Sequence, residues 1–261
     1  MSDLVTLLDA AHAAVSADPE NEALRLRFFE RLADGEIVIL LEREASGSKL
    51  EPRVFDLEEG PVVLVFDREE RLASFTGGIA PYAALPGRVI AAMLKGQGIG
   101  LGVNLGVAPS SMLLPPEALD WLAEALEGDV DQAEARPKEF LAPSVPEAVI
   151  SGLDAKLARS AGLASAAILT GVIYQDGGRG HLLAFLDAVA GAEAVLARAM
   201  REALVFSGVE ASALDVVFLA SGDVSAVAMA RVGLVFELPM LEAPGAPAAP
   251  GMDPSRPPRL R

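Results

Sequence analysis

The sequence predicts a mixed α/β (α+β) fold: two tandem α/β domains with mixed sheets, followed by a disordered proline-rich tail. Three observations carry that expectation. Strand-length apolar runs alternate with helix-length segments along almost the whole chain, the order that builds sheets flanked by helices. The texture breaks at GDVDQAEARPKEFLAPSVP, residues 128–146, an acidic and proline-bearing stretch that reads as a linker or strap. Residues 240–261 are dominated by proline, alanine and glycine, which cannot build a core. The expected organisation is a first domain over 1–127, the linker, a second domain over 147–239, and the tail.

Two helices open the first domain. Leu4, Leu7, Leu8, Ala11 and Val15 recur at helical spacing, predicting a helix over 3–16. A second runs from Pro19 to Ala33, with Asp18 as its N-cap and Asp34-Gly35 at its end. Ile37 to Leu41 is an apolar strand, and 53–57 and 61–66 form a hairpin turning at Glu58-Glu59-Gly60. Asp67 is expected to cap a short helix, REERLASF, with Glu69 and Glu70 at its positive end. A strand at 82–85, a helix from Pro86 to Lys95, a strand at 112–114 and a helix from Pro115 to Leu126 complete the domain. In the second domain, a helix over 147–160 precedes strands at 163–174 and 180–187, which turn at Gln175-Asp176-Gly177-Gly178. A helix over 190–206, a strand over 215–219, a helical turn over 223–231 and a closing strand over 233–238 follow.

The run GQGIGLGVNLG, residues 96–106, raises the question of a phosphate loop. G-x-G-x-x-G fails in every register, because Leu101, Val103 or Leu105 stands where the third glycine is needed. No Gly-Lys-Ser/Thr is present either, since Lys95 precedes the run. Spacing of two fits a strand instead. Gln97, Ile99, Leu101 and Val103 would share one face, and Gly98, Gly100 and Gly102 would leave the other bare for a helix or another backbone.

Composition narrows the function. Acidic residues outnumber basic ones, 37 to 21, for a net charge of −16, and the pI is near 4.5. Such a chain repels nucleic-acid phosphates and anionic membranes. Hydrophobic content of 52% and a mean hydropathy of +0.38 supply ample core. Without cysteine there is no disulfide, thiolate nucleophile or cysteine metal site, which fits a cytoplasmic protein. Asp3 and Asp9 lie where a signal peptide needs a positive start and an apolar centre.

Chemistry-bearing motifs are absent. His12 and His181 alone cannot furnish a zinc tetrad; His12 reads as packing on a surface helix, and His181, opening a strand after a tight turn, as a surface residue with part of a pocket as the alternative. No serine has glycine two places before and two after it, so there is no nucleophile elbow. Glu58-Glu59, Glu69-Glu70 and Asp129 with Asp131 read as solvated carboxylates. Asp129-Val130-Asp131 is no calcium loop, because Ala133 replaces the third ligand and Glu134 the glycine. Catalytic residues, metal ligands and cofactors are therefore not assigned. The strand before Pro239 is expected at a sheet edge, where a partner strand could add. Arg256, Arg259 and Arg261 among prolines read as a solubilising terminus, with a linear binding motif as the alternative.

The segments LVFDREERLASF, YAALPGRVIAAML, GIGLGVNLG and LLPPEALDWL together resemble the N-terminal domain of the SseB family, bacterial "enhanced serine sensitivity" proteins. Phe66, Glu69 or Glu70, and Leu72 match one part of its pattern; Gly100, Leu101, Asn104 and Gly106 match its Gly-Leu-x-x-Asn-Pro-Gly, with Leu105 in place of proline. GRGHLLAFLDAV and VVFLASGD resemble its C-terminal domain, so the resemblance covers most of residues 1–240. It implies a non-catalytic protein of unestablished activity, acting as a protein-interaction or regulatory module with an unknown protein partner. The alternative is an amino-acid sensor or enzyme in which Asn104, Gly106, Ser110 and Ser111, after the glycine strand, bind the ligand; backbone amides left open by glycine would hold a carboxylate.

Overall fold

The computed structural model describes residues 5–45, 49–127, 136–208 and 214–238. They form a mixed α/β fold with two mixed sheets. The chain divides into two compact units, and the division is not a single cut. The first lies within Met1–Glu134, Val145–Leu153 and Ala197–Ala213, and the second within Ala135–Ser144, Asp154–Leu196 and Leu214–Arg261.

The first unit begins with helices α1 (Leu7–Ala17) and α2 (Glu22–Asp34) and strand β1 (Glu36–Leu40). Then come β2 (Val54–Leu57), β3 (Gly60–Phe66), α3 (Glu69–Thr76), β4 (Tyr82–Pro86), α4 (Gly87–Leu94), β5 (Gly100–Val103), β6 (Met112–Leu114) and α5 (Pro116–Glu127). The sheet order is β4-β1-β3-β5-β6, with β2 also on β3. The β2–β3 hairpin forms as expected, with Leu57 opposite Gly60. Only β3 and β5 pair in parallel, because α3, β4 and α4 separate them in sequence and return the chain to the same end of the sheet.

Strand alternation sorts the core onto two faces. Ile37, Ile39, Val63, Val65, Leu101 and Val103 meet Leu26, Phe28 and Leu32 of α2, Ile90 and Leu94 of α4, and Leu119 and Leu122 of α5. Val38, Leu40, Val62, Leu64 and Phe66 point the other way, toward Leu72 of α3. Each such fully buried side chain contributes about 1.5–3 kcal/mol relative to exposure.

Several local expectations are corrected. α2 starts later than expected because Asn21, not Asp18, caps it: the Asn21 side chain accepts from the Leu24 N–H at 3.3 Å. Asp18 instead ends α1, and its carboxylate accepts from Asn21 Nδ2 at 3.1 Å. Asp67 does not cap α3; Arg68 stands at the N-cap position without a side-chain bond. The glycine strand is shorter than expected. Gly96 and Gly98 adopt φ of 71° and 66°, left-handed turn conformations, so the bare face consists of Gly100 and Gly102 alone. What covers it is not a helix: a Cβ at Gly100 would sit 2.8 Å from the Leu114 carbonyl oxygen, the close backbone approach expected, and a Cβ at Gly102 would sit 2.6 Å from Leu64 Cδ2 and 2.7 Å from Leu105 Cδ1.

In the second unit, β7 (Pro137–Leu141) lies inside the expected linker and pairs antiparallel with β8 (Ala166–Tyr174). The first part of that stretch, 128–135, is outside the described residues, as is the tail from 239. Helix α6 (Glu147–Ala158), which belongs to the first unit as far as Leu153, precedes β8; β9 (Arg179–Leu186), α7 (Glu193–Ser207), which is split and belongs to the first unit from Ala197 on, β10 (Leu214–Leu219), α8 (Val224–Ala230) and β11 (Leu234–Glu237) follow. The sheet order is β10-β9-β8-β11. β11 is an edge strand as expected, and β9–β10 is the parallel pair, joined through α7. Ile168, Val172, Tyr174, Leu182 and Ala184 share one face of this sheet with Met229 of α8. No helix among the described residues is long and apolar enough to cross a membrane.

The tightest backbone approach in the first unit is at Gly87, where a Cβ would lie 1.9 Å from the Leu32 carbonyl oxygen. α2 and α4 can pack this closely only without a side chain there. Gly87→Ala should therefore cost about 3 kcal/mol or more, at or beyond the upper end of overpacking. Gly78→Ala, with nothing within 4 Å of its Cβ, serves as the control. Urea melts of the two variants check this, and equal midpoints would refute it.

Candidate functional site

Strand β5 delivers the four candidate residues into a turn, and the turn separates them into two pairs. Asn104 and Ser110 are fully buried, each 0% exposed. Gly106 and Ser111 are exposed and joined to each other, the Gly106 N–H donating to Ser111 Oγ at 3.2 Å. Two further backbone bonds of the turn are local, Val107 N–H to Asn104 O at 3.2 Å and Ser111 N–H to Ala108 O at 3.2 Å.

Asn104 holds the turn to the sheet. Its φ of 48° is left-handed, a region that Asn tolerates better than most residues. Its N–H donates to Val65 O at 2.8 Å. Its amide oxygen accepts from the Asp67 N–H at 3.2 Å, and its Nδ2 donates to Ser110 Oγ at 2.9 Å. Ser110 Oγ then donates to Asp9 Oδ1 at 2.5 Å. The Asn104–Ser110 pair is thereby joined to α1 and to the start of α3.

There it meets a buried ion cluster. Arg71 of α3 grips Asp9 with two bonds, Nη1 to Oδ1 at 3.0 Å and Nη2 to Oδ2 at 2.5 Å. Its Nη1 also donates to Asp67 Oδ1 at 2.8 Å, four residues back. Thr6, the N-cap of α1, exchanges a capping box with Asp9 and donates its hydroxyl to Asp67 Oδ2 at 2.6 Å. The Asp9 carboxylate thus accepts four bonds, from Arg71 twice, Ser110 and the Thr6 N–H. Two carboxylates share one guanidinium, and the surplus negative charge rests on these donors and on the positive start of α1. No buried side-chain nitrogen or oxygen among the described residues lacks a hydrogen-bond partner.

Burial alone would push the Asp9 carboxyl up, but hydrogen bonds from Arg71, Ser110 and the Thr6 backbone, with the Arg71 charge, outweigh it and hold that carboxyl well below the usual carboxylate range. Burial opposes the charge on Arg71 too, yet its bond to Asp9 is the larger effect and raises its pKa further.

Sequence reasoning found Asn104 and Ser110 and missed Thr6, Asp9, Asp67 and Arg71. Two local signals pointed to them: Thr6-x-x-Asp9 is a capping-box spacing, and Asp67 and Arg71 are one helical turn apart. Nothing local joins the two pairs, which lie about 60 residues apart and meet only through the fold.

Elsewhere the first unit has a cavity of about 210 Å³ walled by Leu50, Pro52, Val54, Val63, Met93, Leu94 and Ile99, with Gln97 as its one polar residue. It is smaller than usual ligand pockets and includes none of the four candidates. His12 packs edge-on against Phe28 at 6.2 Å. In the second unit, His181 Nε2 accepts from the Ser144 N–H at 3.4 Å, and the Tyr174 hydroxyl donates to Asp215. Burial and that carboxylate push the Tyr174 phenol well above its ordinary value. No group of three or more His, Asp or Glu side chains among the described residues is placed to hold a metal ion.

Together these features describe a two-unit mixed α/β protein whose most concentrated polar chemistry is internal. No protein-family model, curated protein or solved structure matches the chain.

Two outcomes test the cluster. Arg71→Met leaves Asp9 buried without its cation and should cost about 3–5 kcal/mol. Asn104→Ala should cost about 2–4 kcal/mol, combining left-handed backbone strain with orphaned buried partners; Asn104→Gly, free of the strain, should recover about 1–2 of these. Chemical denaturation reads all three, and equal losses for Ala and Gly would exclude the strain component. The Asp9 pKa is depressed on folding, so its contribution is complete above its unfolded value, near 4, and is lost as the pH falls toward the folded value. Denaturant midpoints should therefore fall below about pH 4 in the wild type and fall less in Asp9→Asn.

Proposed function

We propose that this chain is a non-catalytic, cytoplasmic interaction or regulatory module of the SseB type, and that the turn over 104–111 is its recognition element. The observation that carries the reading is where the polar groups go. Asn104 and Ser110 spend their side chains on Asp67, Asp9 and each other, so they brace a surface turn rather than face a solute. A turn held in one conformation loses little entropy on binding, which favours recognition by a protein partner. Its outward residues are Gly106, Pro109 and Ser111. One part of the SseB resemblance falls on the same turn, through Asn104 and Gly106.

The amino-acid sensor reading has less support. Two of its four residues are buried and fully bonded, and the Gly106 N–H that would hold a carboxylate is taken by Ser111 Oγ.

A thermal-shift screen against serine, other amino acids and nucleotides separates the two readings. A ligand at about 100 times its Kd stabilises the fold by roughly 2.7 kcal/mol, so binding would be plain. The interaction reading expects no dose-dependent rise in Tm. A rise with serine that Ser111→Ala abolishes, with the ligand-free Tm unchanged, would replace it with the sensor.

A further inference from the structure

The hydrogen bonds of the buried cluster close on themselves. From Asp9 the path runs to Ser110, to Asn104, to the Asp67 N–H, through the Asp67 carboxylate to Arg71, and back to Asp9. Three separate pieces of chain meet in this ring: the first turn of α1, the junction of β3 with α3, and the turn after β5. We propose that α1 is a conformational lock on the 104–111 turn: docked, it fixes the turn through Asp9 and Ser110, and undocked, it frees it. The use of the turn for recognition rests on the function proposed above; the coupling itself does not.

The two partners in the lock are unequally held. α1 has 11 residues, too few to persist as an isolated helix in water, so its order depends on docking. It docks through Leu8, Asp9 and Ala11, while Val5 and Leu7 are exposed at 74% and 68%. The turn has one backbone bond to the sheet, Asn104 N–H to Val65 O, and its other backbone bonds are internal. What fixes Ser110, at the far end of the turn, is Asp9 on one side and Asn104 on the other.

Undocking α1 therefore removes the acceptor of the buried Ser110 hydroxyl and one of the two carboxylates facing Arg71. Both losses fall on the ring, and the ring is what anchors the turn. Coupling of this kind is reciprocal. A partner that binds the turn as it stands favours docked α1, and one that captures the apolar face of α1 loosens the turn.

Amide hydrogen exchange on the full chain tests the lock from both ends. In Asp9→Ala, the amides of Asn104, Val107 and Ser111 should exchange at least tenfold faster, while Ile39 in β1 and Leu169 in β8 change less than twofold. In Ser110→Ala, the α1 amides of Ala10 through Ala14 should accelerate tenfold in turn. Unchanged turn amides in Asp9→Ala would overturn the proposal, and so would a uniform rise across the first unit, which is global destabilisation. If Asp9→Ala fails to fold, the reciprocal arm in Ser110→Ala decides alone. A sensor outcome in the thermal-shift screen would change the role of the turn but not these rates, so the two proposals fail separately.

Discussion

The first unit is organised around the need to keep the Arg71 guanidinium company. A guanidinium stays charged at any pH a protein meets, and a buried one without counter-charge is among the costliest defects a fold can contain. Arg71 is only 6% exposed, so Asp9 and Asp67 must be brought to it. Asp67 lies only four residues before Arg71 in the chain, but Asp9 lies 62 residues away, and its arrival fixes where α1 sits. Two carboxylates on one cation leave a surplus that must be hydrogen-bonded, which accounts for Thr6 and Ser110. Ser110 in turn requires Asn104, whose left-handed backbone sets the path of the chain leaving β5. One unavoidable charge thus propagates into the placement of two helices and a turn.

The apolar pattern made the architecture legible. The continuous apolar runs IVILL and PVVLVF and the turn at Glu58-Glu59-Gly60 placed β1, β2 and β3 to within a residue or two, because a strand buried on both faces reads as an unbroken apolar run bounded by turn residues. The caps were less legible. Asp18 and Asn21 are both good N-cap residues, and only the position of α2 in the folded unit decides between them. β7 was hidden because PKEFL looks like a charged connector; its mostly exposed side chains need only backbone pairing with β8.

The site was half legible, and the reason is physical. Asn and Ser after a glycine strand are recognisable as turn chemistry from neighbours alone. Whether their polar atoms face a ligand or the protein depends on what arrives from α1 and α3. The glycines behaved similarly: the bare face was readable, but its occupant, Leu105 folding back from the same turn, required the conformation of Asn104. Leu105 stands where the resembled family has proline, and here that position covers the strand it has just left.

The split of α7 has a consequence for how the chain comes off the ribosome. Phe206 packs in the core of the first unit and meets Trp121 of α5 edge-on at 6.4 Å, and Arg88 of α4 reaches Glu202 at 2.9 Å. Those partners are synthesised about 80 residues after α5 ends at Glu127. At about 5–20 residues per second, the nascent first unit waits roughly 4–16 s with part of its aromatic surface uncovered. During that interval β7, α6, β8 and β9 emerge, so three of the five strands of the second sheet precede the completion of the first unit, and β10 and β11 follow it.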